Sequence, residues 1–333
     1  MSHKTPQVPC FHGSKSEPWK HLSHGCLVVF KPSGLSSHDV VDMVRKAYHV
    51  KAGHGGTLDP MAQGVLLIFM EKALKVLPYI PVGYLDKTYL MRVTLGKTTD
   101  TYDATGTTVA EFAGNINYSA EEILAALRHF VGTYDQTPPA FSAIKVNGKR
   151  AYSLARAGNP PELSARSVHV TSIRFVKDYT SRSLRHLVLR VHCSRGTYVR
   201  SLAHDLGKKL GCGAHLSYLL RERVGTWSHR DSFPAWKIES RHPFIDTKSF
   251  MPFEEILPFS KLTVSEEAQK KIKSGNPLEQ RDIRSIQASS GIDKLKDIFQ
   301  VFSSTGELLA LYGPPEDRES KSGAKLVPIR VLL

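Results

Sequence analysis

At 333 residues, with 41% hydrophobic and 23% charged residues, the chain has an ordinary globular composition with room for one large domain and a small one. No apolar run approaches the roughly 20 residues that span a bilayer, and Cys10, Cys26, Cys193 and Cys212 are too scattered for a disulfide framework or a zinc site. The net charge of +14 points to a polyanionic partner, and it is unevenly placed: from Lys261 onward 12 Lys+Arg face 10 Asp+Glu, so the last stretch carries +2 and the first 260 residues +12.

In chain order, residues 1–24 are polar, lack an apolar signal core and read as a flexible tail, with a cytoplasmic location as the default. Leu27 to Phe30 is a short strand running into the turn Lys31-Pro32-Ser33-Gly34. Ser36 or Ser37 caps a helix with Val40, Val44 and Tyr48 on one face. Gly64 to Met70 reads as buried, and Tyr89, Met91, Val93 and Leu95 mark a half-buried strand. Gly96 to Gly106, rich in Thr and Asp, reads as a loop. Ser119-Ala120-Glu121-Glu122 is a capping box opening a helix with Ile123, Leu127 and Phe130 inward. Ala151 to Ala157 is a short helix. His186 to Cys193 alternates strictly and leads through Ser194 to Arg200 into a helix carrying Leu202, Leu206 and Leu210, stopped by Gly211.

Interspersed helices and two-faced strands indicate an α+β fold with a mainly antiparallel sheet. Trp227 to about Ser260 has weak periodicity and reads as a passage between domains, which places a main domain at 25–250. Residues 255–333 form a small β-rich module, with strands at Ile298–Phe302, Leu308–Tyr312 and Val327–Leu332.

The chemistry concentrates in Gly53-His54-Gly55-Gly56-Thr57-Leu58-Asp59-Pro60. Glycines let backbone approach a ligand closely, and Pro60 stiffens the chain after the acid. This is a single carboxylate on a tight loop, which suits an acid acting alone on a bulky substrate; read by itself, the segment is also an ordinary turn. No phosphate-cradling loop, dinucleotide fingerprint, nucleophile elbow or metal-ligand spacing is present, so no cofactor and no metal are expected. Tyr89 is in phase with the apolar face of its strand, which by itself is a core position. Arg200, at a helix start, is unfavourable to that helix and asks for an anion.

These segments resemble the TruB family of tRNA pseudouridine-55 synthases, in its bacterial stand-alone form. The resemblance runs from about Cys26 to Val224 and more weakly through the tail. It rests on Lys31-Pro-Ser-Gly-Leu-Ser-Ser37, the Asp59 octapeptide with Gly64, Lys87-Thr-Tyr-Leu90, Leu95-Gly-Lys-Thr-Thr-Asp-Thr101 with Asp103, Pro138-Pro139, Phe141-Ser-Ala-Ile-Lys145, Cys193-Ser-Arg-Gly-Thr-Tyr-Val-Arg200 and Leu210-Gly-Cys-Gly-Ala-His215. The resemblance implies a pseudouridine synthase fold with a PUA-like carboxy-terminal module. It implies that Asp59 is the catalytic aspartate, that Tyr89 stacks on the target uracil and that Arg200 pairs with Asp59. His54 would fill the gap left by the flipped base, Tyr198 and Leu219 would line the pocket, and Lys145 would lie near the cleft. The implied partner is the T stem-loop of tRNA, with no guide RNA, no protein partner and a monomeric enzyme. Glu71-Lys-Ala-Leu-Lys75, Leu220-Arg221 and Ser167 depart from the family pattern. Two rivals remain: an RNA-guided relative, which generally lacks the Gly96–Gly106 segment, and a non-catalytic tRNA-binding factor.

Overall fold

The computed structural model describes residues 24–181, 184–239, 247–287, 298–315 and 326–332. The expected tail at 1–24 therefore lies outside the described residues except for His24. An 11-stranded sheet dominates the main domain. Its longer members, in chain order, are β1 (Gly25–Lys31), β2 (Ala52–His54), β3 (Gln63–Met70), β4 (Lys87–Leu95), β5 (Gly132–Gln136), β6 (Arg166–Ser181), β7 (Leu184–Cys193) and β8 (Ala214–Val224). The spatial order is β1-β3-β8-β4-β7-β6-β5, with β2 added to β3. Pairing along this path is antiparallel except between β8 and β3. The fold is the expected α+β one.

Helix α1 (Ser37–Tyr48) starts on a capping box between Ser36 and Asp39 and stops at His49 in the left-handed region. Its Val40, Val41 and Val44 pack on Leu27, Val29, Leu66, Ile68 and Met70. Helix α2 (Ala120–Arg128) is likewise boxed, Ser119 with Glu122. Helix α3 (Val199–Leu210) ends on Gly211, also left-handed. Together α2 and α3 cover Tyr89, Met91, Val93, Leu189 and Val191. Register shows that α1 and α3 share one face of the sheet. Arg221 on β8 pairs with Gly64 on β3 and with Tyr89 on β4, and paired residues point the same way. The seam between the two helical layers runs over Gly64, Arg221 and Tyr89, and the Asp59 loop crosses it.

A second sheet is built from β9 (Ser260–Val264), β10 (Ile283–Gln287), β11 (Phe299–Phe302), β12 (Leu308–Gly313) and β13 (Val327–Val331), in the order β10-β9-β11-β12-β13. Helix α4 (Glu266–Lys273) covers it, giving a small sheet-rich unit consistent with a PUA-like module. Among the described residues no strand is shared between the sheets, yet their side chains share a core. Phe302, Leu308, Leu311 and Leu332 pack with Cys26, Val28, Val65, Leu67 and Phe69 on the back of β1 and β3.

Two local expectations are corrected, and one strand had not been expected. The Gly96–Gly106 segment is not all loop: Lys97–Thr99 pairs with Thr108–Glu111. The 227–260 stretch is not a free passage, because Trp227–Ser228, Phe233–Pro234 and Phe250–Pro252 add to β8 and β1. Strand β8, at the centre of the sheet, has no simple alternation. Register shifts at Leu216/Tyr218 and Arg221/Arg223 reset its phase.

Candidate active site

The Asp59 loop is fixed through hydrogen bonds to its backbone from several sides. Gly55 donates its N–H to Leu67 at 2.9 Å. The Ser37 hydroxyl both accepts from Leu58 N–H, at 2.8 Å, and donates to Leu58 C=O, at 2.9 Å. Gly34 N–H donates to Pro60 C=O at 2.8 Å, and Ser33 Oγ donates to Met61 C=O at 3.0 Å. The Lys31-Pro-Ser-Gly turn is thus a buttress for the acid. Lys31 itself is fully buried, and its Nζ donates to Pro32, Leu35 and Pro60 carbonyls at 2.9, 2.7 and 3.3 Å. Burial pulls this ammonium down to about 8, against the attraction of Asp59.

From the sheet side Arg221, 1% exposed, supplies the matching clamp. Its Nε donates to Val65 C=O at 2.6 Å, Nη1 to Thr57 C=O and Nη2 to Gly56 C=O, each at 3.1 Å. Gly64 is required here: its φ is +115° and a Cβ would overlap the Arg221 carbonyl.

On this loop Asp59 keeps 31% of its side chain exposed and meets Arg200, 6% exposed, at the start of α3. Arg200 Nε donates to Oδ2 at 2.9 Å and Nη2 to Oδ1 at 3.1 Å, a bidentate charged pair. Two more guanidinium donors go to Thr101 C=O at 3.1 Å and Phe141 C=O at 2.9 Å. Asp103 stands behind, its Oδ2 3.7 Å from Arg200 Nε. Its Oδ1 accepts from Thr101 Oγ1, Thr105 N–H and Thr105 Oγ1 at 2.9, 2.9 and 2.6 Å. Tyr102, with φ of 62°, stacks on His204 of α3 at 3.8 Å between ring centroids. The 96–106 segment is thereby pinned to the helix that carries Arg200.

Tyr89 is 5% exposed, and burial pushes its phenol up to about 12, with the Arg221 charge and hydrogen bond acting the other way. Leu219, 4% exposed, lies in the same cluster. Tyr198 forms the N-cap of α3 and donates its backbone N–H to Gln136 Oε1 at 2.8 Å. Burial pushes its phenol up, with Asp59 adding and Arg200 opposing. His54 ends β2; burial, then Arg221, lowers its pKa, and among the described residues its buried Nδ1 has no hydrogen-bond partner. Lys145 is exposed on the hairpin of Lys145–Val146 and Lys149–Arg150. It is linked to Arg200 through the segment that begins at Phe141, whose carbonyl accepts from Arg200.

The structure therefore brings Asp59 and Arg200 into contact, with Tyr89 and Leu219 beneath the same loop, and leaves Lys145 outside that contact set. Lys31, Ser37, Asp103 and Arg221 were not expected as site residues. Lys31, Ser37 and Asp103 lie in segments that carry the family resemblance, and Arg221 in one that departs from it, but none was given a role there. Among the described residues, no group of three or more His, Cys, Asp and Glu side chains is placed to hold a metal ion, and no helix is long and apolar enough to cross a membrane.

The arrangement is one exposed carboxylate, charge-paired and clamped, above an aromatic floor. Residues 44–199 match the amino-terminal domain of the TruB family of pseudouridylate synthases, and 200–248 match the carboxy-terminal domain of tRNA pseudouridylate synthase B. The chain is 38% identical over 291 residues to a tRNA pseudouridine synthase B of Shouchella clausii, covering 86% of this chain and 92% of that protein. The chain belongs to the TruB family of pseudouridine synthases.

A tRNA pseudouridine synthase B of Thermotoga maritima is 39% identical over 87% of this chain and 90% of its own. Among solved structures, a Cbf5–Nop10–Gar1 complex is similar at 26% identity and a TM-score of 0.64, covering 96% of this chain and 88% of that one. The archaeal box H/ACA Nop10–Cbf5 complex shares the fold at a TM-score of 0.64 and 23% identity. The second TruB model does not correspond to the small sheet. Its span supplies α3 beyond Arg200 together with β8, both inside the main domain. As a member of this family the chain is an isomerase.

Proposed function

We propose that this TruB enzyme converts the T-loop uridine of tRNA, position 55, to pseudouridine, acting as a monomer without guide RNA. The observation that carries this reading is the Asp59–Arg200 pair poised over Tyr89 on a loop whose carbonyls are held from both sides. Isomerisation breaks the N1–C1′ bond, turns the base and joins C5 to C1′; C5 loses a proton and N1 gains one. Nothing is oxidised and no group is added. Asp59 serves either by attacking C1′ or by taking the 2′ proton. Both roles need a free oxygen lone pair. Each carboxylate oxygen has two acceptor sites, so the arginine fork leaves one on each for the substrate.

The target uridine has to leave its stack to reach Asp59, at a cost of a few kcal/mol. Tyr89 offsets this by stacking on the flipped base, worth about 1–3 kcal/mol. His54, its pKa lowered by burial and Arg221, is held neutral at physiological pH and suits a flat, uncharged filler for the vacated stack. Tyr198 and Leu219 line the pocket wall, and Lys145 contributes to the basic approach. The curated relatives, named tRNA pseudouridine synthase B and similar over most of both chains, support tRNA as the substrate. The structural neighbours work with Nop10 and Gar1 or Nop10, so independence from partners is a claim to test.

The test is pseudouridine mapping on an unmodified T-arm hairpin with purified protein alone. Conversion of the single T-loop uridine is expected. Conversion only after adding a guide RNA or a protein partner would assign the chain to the guided relatives, and binding without conversion would make it a tRNA-binding factor.

A further inference from the structure

Four cations lie buried around the Asp59 loop, and three of them are tied to it or to its neighbours by hydrogen bonds. Lys31 donates to three carbonyls. Arg200 is taken by Asp59, Thr101 and Phe141. Arg221 is taken by Val65, Thr57 and Gly56. Lys87, at the start of β4, is different. It is 8% exposed, yet among the described residues its ammonium makes no hydrogen bond and no ion pair. Buried polar groups are almost always satisfied, and an ammonium has three donors and no acceptor. The tip of the side chain is not closed off from solvent, so its donors are open to an acceptor that the substrate brings.

The surroundings state what kind of acceptor. Lys87 faces the same way as Tyr89, two residues on along the strand, about 7 Å away. The end of its side chain lies close to Gly56 of the Asp59 loop: a Cβ built there would stand in ordinary contact, 3.6 Å from Cε and 3.9 Å from Nζ. Across the ladder it meets Cys193. The charges acting on it include two more cations, Arg221 and the exposed Arg195 of the Ser194–Gly196 turn, with Asp86 the acidic neighbour in the chain. Burial pulls the ammonium down to about 8, which leaves it mostly protonated at neutral pH. A uracil carbonyl would satisfy a donor but would not offset the positive field of Arg221 and Arg195. An anionic oxygen does both.

We propose that Lys87 hydrogen-bonds a phosphate group flanking the flipped uridine, with Arg195 beside it, and so fixes the ribose over Asp59 while Tyr89 holds the base. The proposal rests on the reading that the uridine flips onto Tyr89. Arg200 addresses the acid and Lys87 addresses the backbone of the same nucleotide.

The test uses the full-length protein, an unmodified T-arm hairpin and a salt series. Each phosphate neutralised contributes about −0.7 to −0.9 to the slope of log K against log salt. Lys87→Met should weaken hairpin binding several-fold at low salt, lower kcat/KM by about tenfold or more and make the slope shallower by about that one contact. Lys87→Arg should restore the slope. A hairpin with uncharged methylphosphonate links on both sides of the target uridine should cost the wild-type enzyme a similar factor. Lys87→Met should add little to that loss.

An unchanged slope in Lys87→Met, whatever its activity, overturns the proposal and makes Lys87 a structural residue. So does a methylphosphonate hairpin bound and converted like the natural one. That arm needs only wild-type protein and decides the matter even if circular dichroism shows the variant unfolded. Failure of the wild type to convert the natural hairpin sinks the functional reading instead, a separate outcome.

Discussion

Arg200 holds both oxygens of Asp59, at 2.9 and 3.1 Å, across 141 residues of chain. Two more of its donors go to Thr101 and Phe141 carbonyls, so its plane is fixed before any substrate arrives. The carboxylate is oriented by a rigid fork rather than by its own exposed side chain. Preorganisation of this kind lowers the cost of reaching the transition state.

Lysine at position 200 keeps the charge and loses the fork. Arg200→Lys should lower kcat by about 100-fold or more with a much smaller change in KM. Arg200→Met should do the same and also cost about 2–4 kcal/mol of stability, because Asp103 at 6% side-chain exposure loses its cation. Single-turnover kinetics with urea melts checks both. A lysine variant at full rate would show that charge alone suffices.

Tyr89 combines a buried ring with a hydroxyl facing Arg221. Tyr89→Phe should keep stacking and lose the hydroxyl, giving a rate defect larger than the binding defect. Tyr89→Leu should be worse in both. If the leucine variant turns over like wild type, Tyr89 is a core residue and no more.

His204 links acid stability to the stacked pair with Tyr102. Burial lowers its pKa from 6.5 to about 4, so between these values the unfolded chain binds more protons than the folded one. Its contribution is complete above pH 6.5 and is lost as the pH falls toward 4, by about 2–3 kcal/mol in total. His204→Phe keeps a ring on Tyr102 and removes the titration. Its urea midpoint should therefore improve relative to wild type between pH 7 and pH 5. Parallel curves for the two proteins would remove His204 from the acid response.

The back of the main sheet predicts what truncation does. Cutting the chain before Leu262 removes Phe302, Leu308, Leu311 and Leu332 from a core they share with Val28, Val65, Leu67 and Phe69. Exposed apolar patches of this size promote association, so the truncated protein should be poorly soluble and melt lower than the full chain. A soluble fragment with full hairpin activity would show that the small sheet is an independent module.

Much of the site was legible because its signals are local. Glycines and Pro60 marked the Asp59 loop, period-two alternation oriented Tyr89, and an arginine at a helix start called for an acid that Asp59 supplies. Arg221 gave no such signal. Its three carbonyl partners lie 156 to 165 residues away and exist only once β8 lies against β3. Strand β8 escaped notice because its bulges break the alternation that reveals β4 and β7. The edge strands at 227–252 are two or three residues long, too short for any period. Hydrophobic pattern announced Val65, Leu67 and Phe69 as buried, but pattern cannot say that the cover comes from the carboxy-terminal sheet.

Asp59→Asn tests the account most directly. The amide keeps the shape of the side chain, can accept from Arg200 through one oxygen only and carries no charge to attack C1′ or take the 2′ proton. Pseudouridine formation on the T-arm hairpin should fall below detection while hairpin affinity stays within about tenfold of wild type. Turnover above a few per cent of the wild-type rate would contradict the catalytic role of Asp59 and, with it, the account of the site.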